Sequence, residues 1–174
     1  MNYLKIQTDI LKALCKDNIR KVLQCVSRSE DGNKIYLICG DNGSHFYILE
    51  KDFFFLDYEM LVDKVGELQS NTLDKILKGI DKSELGYKTD QLIHIETIKG
   101  NGVFLKSEKY EVVVNEKFLK NFDKNCTFYL SGDLAPVYIY EGYVLAGVIL
   151  PIARKKEWSR NIQADLSAWR GERE

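Results

Sequence analysis

Proline and histidine are nearly missing from this chain, with two of each in 174 residues. The two prolines, Pro136 and Pro151, exclude a proline-rich linker. The two histidines, His45 and His94, stand 49 positions apart, and neither falls into a metal-ligand spacing. Of the four cysteines (Cys15, Cys25, Cys39 and Cys126), no pair has the spacing of a zinc knuckle. Each has apolar neighbours, which predicts buried free thiols in a reducing compartment. Long apolar runs are missing as well. The longest, Val144 to Ile152, is nine residues and is interrupted by Gly147 and Pro151, against roughly 20 for a spanning helix. No membrane association is expected. No basic start leads into an apolar stretch, so no secretory signal is visible and the expected location is cytoplasmic. Net charge is only −1, which neither favours nor excludes a nucleic-acid partner.

Catalytic signatures are scarce too. Gly40-Asp41-Asn42-Gly43-Ser44 reads as a tight turn between strands, not as a phosphate loop opening a helix. Neither a nucleophile elbow nor a Walker lysine is present. The carboxylates Asp57, Glu59, Asp63 and Glu67 sit at the start of a helical segment, where negative charge is favourable on its own account. The expectation is a protein that is not an enzyme and carries no cofactor or metal.

What is present is an ordinary globular composition, 45% hydrophobic and 29% charged. A chain of this length buries roughly 68–70% of its unfolded surface without disulfide or metal staples. Asn2 to Ile6 reads as a short strand, followed by a helix from Thr8, its N-cap, to about Lys16. Strands follow at Lys21 to Ser27, Lys34 to Cys39 and His45 to about Phe55, with turns at Glu30-Asp31-Gly32-Asn33 and Gly40 to Gly43. Asp57 to Ile80 switches to helical spacing. Leu92 to Ile98 and Val103 to Lys106 alternate as strands about Gly100-Asn101-Gly102. Tyr110 to Val114 is a strand, and Asn115 caps a helix carrying Phe118, Leu119 and Phe122. Strands at Cys126 to Ser131, Pro136 to Tyr140 and Val144 to Leu150 complete the pattern.

The opening order of strand, helix and three strands thus returns near the end. At a shift of 108 residues Ile6 falls on Val114, Ile10 on Phe118, Leu11 on Leu119 and Leu14 on Phe122, while Lys12 falls on Lys120 and Lys16 on Lys124. The repeat predicts an internal duplication.

The doubled unit resembles one domain of the bacterial DNA sliding clamp. The resemblance is carried by Leu134-Ala135-Pro136-Val137-Tyr138-Ile139-Tyr140 and by Leu145 to Arg154, closing on Leu150-Pro151-Ile152-Ala153-Arg154. Ile6-Gln7 leading into Leu11 to Leu14 carries it at the start. It covers roughly residues 110–154 and 1–56, not 57–108 or 155–174, and a full bacterial clamp has three such domains. It implies helices that line a ring and face DNA. Helical spacing independently puts Lys12 and Lys16 opposite Ile10, Leu11 and Leu14, and Lys117, Lys120 and Lys124 opposite Phe118, Leu119 and Phe122. Lysines so placed attract phosphates without reading bases. By position the resemblance also maps a partner-binding segment onto Leu150, Pro151, Ile152 and Arg154. In the clamp family the chain stops there, whereas here it continues for twenty residues.

That tail carries Trp158, Ile162, Leu166 and Trp169 at helical spacing, an apolar stripe suited to docking on its own domain, a second subunit or a partner groove. The expected architecture is α+β: a duplicated strand-helix-three-strand, clamp-like domain at 1–154, with halves 1–56 and 109–154 and an insertion at 57–108. An amphipathic helical tail occupies 155–174. The expected function is a non-enzymatic binding protein of the DNA-transaction machinery, its partners the DNA backbone or a clamp-interacting replication protein, with a homo-oligomer as one route to a ring. Small phage or mobile-element proteins that borrow a scaffold without an active site supply a second reading, an anti-CRISPR-type inhibitor of a host-defence nuclease.

Overall fold

A helix opens the chain. In the computed structural model, which describes residues 1–40, 43–68, 87–88, 91–97 and 100–152, α1 spans Tyr3–Cys15. Asn2 caps it, its side chain accepting from the Lys5 N–H at 3.0 Å. The strand expected at Asn2 to Ile6 is therefore the cap and first turn of α1, and Thr8 lies inside the helix, not at its cap. Five residues are too short to separate the two periods, and the Asn2 cap decides for helix. The earlier start moves the buried arc to Ile6, Gln7, Ile10 and Ala13. Leu11, expected in that arc, is 45% exposed.

Three antiparallel strands follow: β1 (Leu23–Arg28), β2 (Lys34–Cys39) and β3 (His45–Glu50). The expected run to Phe55 is cut at Glu50 by a 3-10 turn over Lys51–Phe53. Buried Gln7 explains why the chain leaves the sheet there. Its Nε2 donates to the carbonyl of Phe53 at 2.8 Å, and its Oε1 accepts from the N–H of Phe55 at 2.8 Å. The α1 side chain thus takes the backbone groups that a longer strand would have paired.

Helix α2 (Tyr58–Val65) is capped by Asp57, which accepts from the Met60 N–H at 3.0 Å. Beyond it, Gly66 to Leu68 runs beside β1, the Gly66 carbonyl accepting from Val26 and the Leu68 N–H donating back to Val26. The helical spacing expected to continue to a break near Ser70-Asn71 thus ends early, at Gly66, whose φ of +89° leaves the helix. The stretch expected beyond that break to Ile80 lies outside the described residues. Strands β4 (Tyr87–Lys88), β5 (Gln91–Thr97), β6 (Gly100–Lys106) and β7 (Glu111–Asn115) lead to a single-turn helix, α3 (Glu116–Leu119), capped by Asn115. Then come β8 (Thr127–Leu130), β9 (Val137–Glu141) and β10 (Val144–Ile149).

The result is a mixed α+β fold. Among the described residues, seven strands form one antiparallel sheet in the order β1-β2-β3-β10-β9-β8-β4, and β5-β6-β7 form a second. Apart from β4, the large sheet reads alike from either edge, with β3 and β10 meeting at the centre. Tyr47 faces Gly147, Phe46 faces Val148 and His45 faces Ile149. Each half supplies a helix followed by three antiparallel strands, but only the second half has a strand before its helix.

One face of the large sheet makes the core. Leu37 and Leu49 from one half, and Val137 and Ile139 from the other, pack with Ile6 and Ile10 of α1, Leu61 of α2, Phe122 after α3, and Val103 and Val112 of the small sheet. Each such side chain contributes about 1.5–3 kcal/mol on burial. Both helices of interest, α1 and α3, therefore sit on this face of the sheet.

Candidate functional site

The ends of the two halves meet at Asn121. Its carbonyl accepts from the Asn2 N–H at 2.7 Å, its Oδ1 accepts from Lys5 Nζ at 2.8 Å, and its Nδ2 donates to the Tyr47 hydroxyl at 2.9 Å. Between α1, the start of β3 and α3 this leaves a cavity of about 320 Å³. Ile6, Ile10, Val22, Tyr47 and Phe118 form its apolar walls, and Lys5, Lys21, Lys117 and Lys120 stand around it.

His45 lines it and is buried, with its ring stacked on Phe118 at 3.9 Å between centroids and edge-on to Tyr47 at 5.3 Å. Its Nδ1 is 3.3 Å from Ser44 Oγ. Burial, aided by the charge of Lys117, pushes the imidazole down to about 4, so it is neutral at physiological pH. Burial likewise pushes the Tyr47 phenol up. Gly40, at φ +74°, leaves room for this arrangement, since a Cβ there would run into Ser44 Oγ and approach His45 Nδ1 to 3.0 Å.

His45 yields a pH prediction with a definite sign. The unfolded chain takes up a proton near pH 6.5 while the folded chain waits until about 4, so stability is full above pH 6.5 and falls as pH drops through that window. Between pH 7 and 5 the loss is expected to be about 2 kcal/mol. Denaturant melts of wild type and His45→Gln at both pH values measure it, and parallel pH profiles for the two proteins would contradict it.

Lys12, Lys16, Lys117, Lys120 and Lys124 are all exposed. Lys12 and Lys16 continue the α1 stripe that begins with Lys5 and Asp9, which pair at 3.1 Å. The helix expected to carry the other three is shorter than its spacing suggested. Only Lys117 is within α3, Lys120 caps its end, and Lys124 lies beyond it. The structure brings Lys117 and Lys120 to the cavity together with Lys5, Lys21 and His45, which sequence spacing did not single out.

At the other mapped segment the backbone is stitched down. The Leu150 N–H donates to the Ser44 carbonyl at 2.8 Å and the Ile152 N–H to the Val113 carbonyl at 2.8 Å, which ties the end of the last strand to both sheets. The Leu150 side chain stays 40% exposed, and Pro151 and Ile152 are half-buried. Arg154, Trp158, Ile162, Leu166 and Trp169 lie outside the described residues.

The acidic group has structural work. Asp57 caps α2, Glu59 pairs with Arg28 at 3.5 Å, and Glu67 accepts from the Tyr58 hydroxyl at 2.6 Å. Among the described residues no three His, Cys, Asp or Glu side chains gather to hold a metal ion. Of the four cysteines expected to be buried, Cys25 and Cys126 are only half-buried. Cys39 is buried and its thiol is pushed up to about 12, whereas Cys15 is exposed, because α1 turns it away from the sheet. Among the described residues no helix is long and apolar enough to cross a membrane. No protein-family model, curated protein or solved structure matches the chain.

Proposed function

We propose that this chain is a binding protein of the DNA-transaction machinery, built as a duplicated clamp-like domain whose lysine-bearing helices face the phosphate backbone of duplex DNA. The observation that carries this reading is the pairing of a sheet that reads alike from both edges with two helical elements on one of its faces. Those elements present Lys12, Lys16, Lys117 and Lys120 to solvent, with Lys124 just beyond. None of these five lysines has an ion pair among the described residues, so their charge is available to phosphates. The opening helix in place of a strand and the single turn of α3 are departures from the resemblance. They shorten the basic face without removing it.

The test is a salt titration. Labelled duplexes of unrelated sequence are expected to bind alike in fluorescence anisotropy at 50 mM salt. The log–log salt slope should approach −0.9 per phosphate contact, about −4 for five lysines, or a loss of roughly 250-fold between 50 and 200 mM. Absence of binding at low salt, or salt-insensitive binding, would overturn the reading and favour the inhibitor, which needs a single protein interface and no DNA.

A further inference from the structure

The cavity between α1 and α3 asks for a different ligand from a duplex backbone. It is a half-open concavity with mainly apolar walls, whereas phosphates of intact DNA lie on flat open surfaces. Its volume of about 320 Å³ is at the lower end of the roughly 300–1,000 Å³ of small-molecule sites. That admits one ring system with a charged group and excludes a lipid chain or several peptide residues.

Four lysines stand around it against one carboxylate, Asp9, which Lys5 already engages at 3.1 Å. Lys21, Lys117 and Lys120 have no ion pair among the described residues, leaving three uncompensated charges beside a low-dielectric wall, where their field is strongest. The ligand is therefore an anion of more than one charge. Among the other lining groups, His45 and Phe118 are flat and Asn121 is amidic. The imidazole of His45 is stacked on Phe118, with its second nitrogen unbonded among the described residues, and the Asn121 side chain is close by. Neutral hydrogen-bonding groups beside an apolar wall suit a heteroaromatic ring with polar edges.

We propose that this cavity binds a nucleoside phosphate, its base against Val22, Phe118 and His45 and its phosphate on Lys21, Lys117 and Lys120. The same chemistry is offered by a free nucleotide and by the phosphorylated end of a DNA strand. The site shares Lys117 and Lys120 with the proposed duplex-binding face, whereas Val22 and His45 belong to the cavity and Lys12 and Lys16 lie outside it.

Isothermal titration of the full chain with deoxyadenosine 5′-monophosphate, with a 5′-phosphorylated trinucleotide and with inorganic phosphate is the test. Saturable binding of one equivalent is expected for one or both nucleotides, at least tenfold tighter than for phosphate. A tighter mononucleotide marks the free ligand as the occupant, and a tighter trinucleotide marks the strand end. Val22→Phe, which fills the cavity and leaves every lysine in place, should weaken the nucleotide at least tenfold and spare duplex binding. Should Val22→Phe fail to fold, the exposed pair Lys117→Gln with Lys120→Gln gives the same nucleotide readout. Lys12→Glu with Lys16→Glu should leave nucleotide binding unchanged. The proposal is overturned by the absence of saturable binding, by phosphate binding as tightly as nucleotide, or by nucleotide binding that both cavity variants leave intact.

Discussion

Glutamate at Lys12, Lys16, Lys117, Lys120 and Lys124 together is expected to remove duplex binding, with an affinity loss of at least about 1,000-fold at 50 mM salt. Five attractive contacts become five repulsive ones on a face where Lys5 already pairs with Asp9 at 3.1 Å. All five positions are exposed, so the variant should melt at nearly the wild-type temperature. The contributions should not be equal. Lys124 lies past the end of α3 between Asp123 and Asn125, and Asp123 keeps its carboxylate beside it, accepting from the Asn125 N–H at 2.8 Å. Single Lys→Gln variants are expected to flatten the salt slope by about 0.9 each, with Lys124 contributing least. Duplex affinity that survives the fivefold reversal would remove DNA from the account.

The largest expected effect on stability is at Gly147. This glycine sits in β10 opposite Tyr47, at the seam between the two halves, next to a register shift after Leu145. A Cβ there would lie 2.6 Å from Phe122 Cζ and 2.6 Å from the carbonyl oxygen of Phe46. The phenyl ring can tilt away, but the carbonyl belongs to the neighbouring strand and cannot. Gly147→Ala is therefore expected to cost about 3 kcal/mol. For a chain of this size that lowers the melting temperature by roughly 6–12 °C. Phe122→Leu in the alanine background should restore only part of the loss, because it relieves the ring and leaves the backbone clash. A melting temperature within about 1 °C of wild type for Gly147→Ala would show that the seam is looser than these distances require.

Strands were the legible part of this fold. Alternation of apolar and polar residues, with a turn at Glu30 to Asn33, located β1, β2, β5, β6 and β7 to within two or three residues. Gly100 to Gly102, expected as a turn, are instead the first residues of β6 and pair with β5. Asn115 was legible as a helix cap because its side chain has a local target, the Lys117 N–H at 2.9 Å. The failures have non-local causes. The end of β3 depends on Gln7, more than forty positions away, and nothing in Lys51 to Phe55 announces that partner. The candidate cavity was illegible for the same reason on a larger scale. Its walls come from residues 5–10, 21–22, 39–40, 45, 47 and 117–121, and these converge only because β3 pairs with β10. Lys117 and Lys120 were visible as a surface pattern, whereas their company with Lys21 and His45 follows from the strand order.

The β3–β10 pairing also sets an order of events at the ribosome. Its partners, Phe46 with Val148 and His45 with Ile149, are about a hundred residues apart in sequence. Synthesis at ~5–20 residues per second separates their emergence by roughly 5–20 seconds. Through that interval β1, β2 and β3 can pair among themselves, but β3 keeps a bare hydrogen-bonding edge, and the first turn of α1 lacks its Asn121 anchor. A bare edge is a template for pairing with another chain. The nascent protein is therefore most exposed to mispairing before β10 leaves the exit tunnel, and slow translation across residues 50–144 would lengthen that exposure.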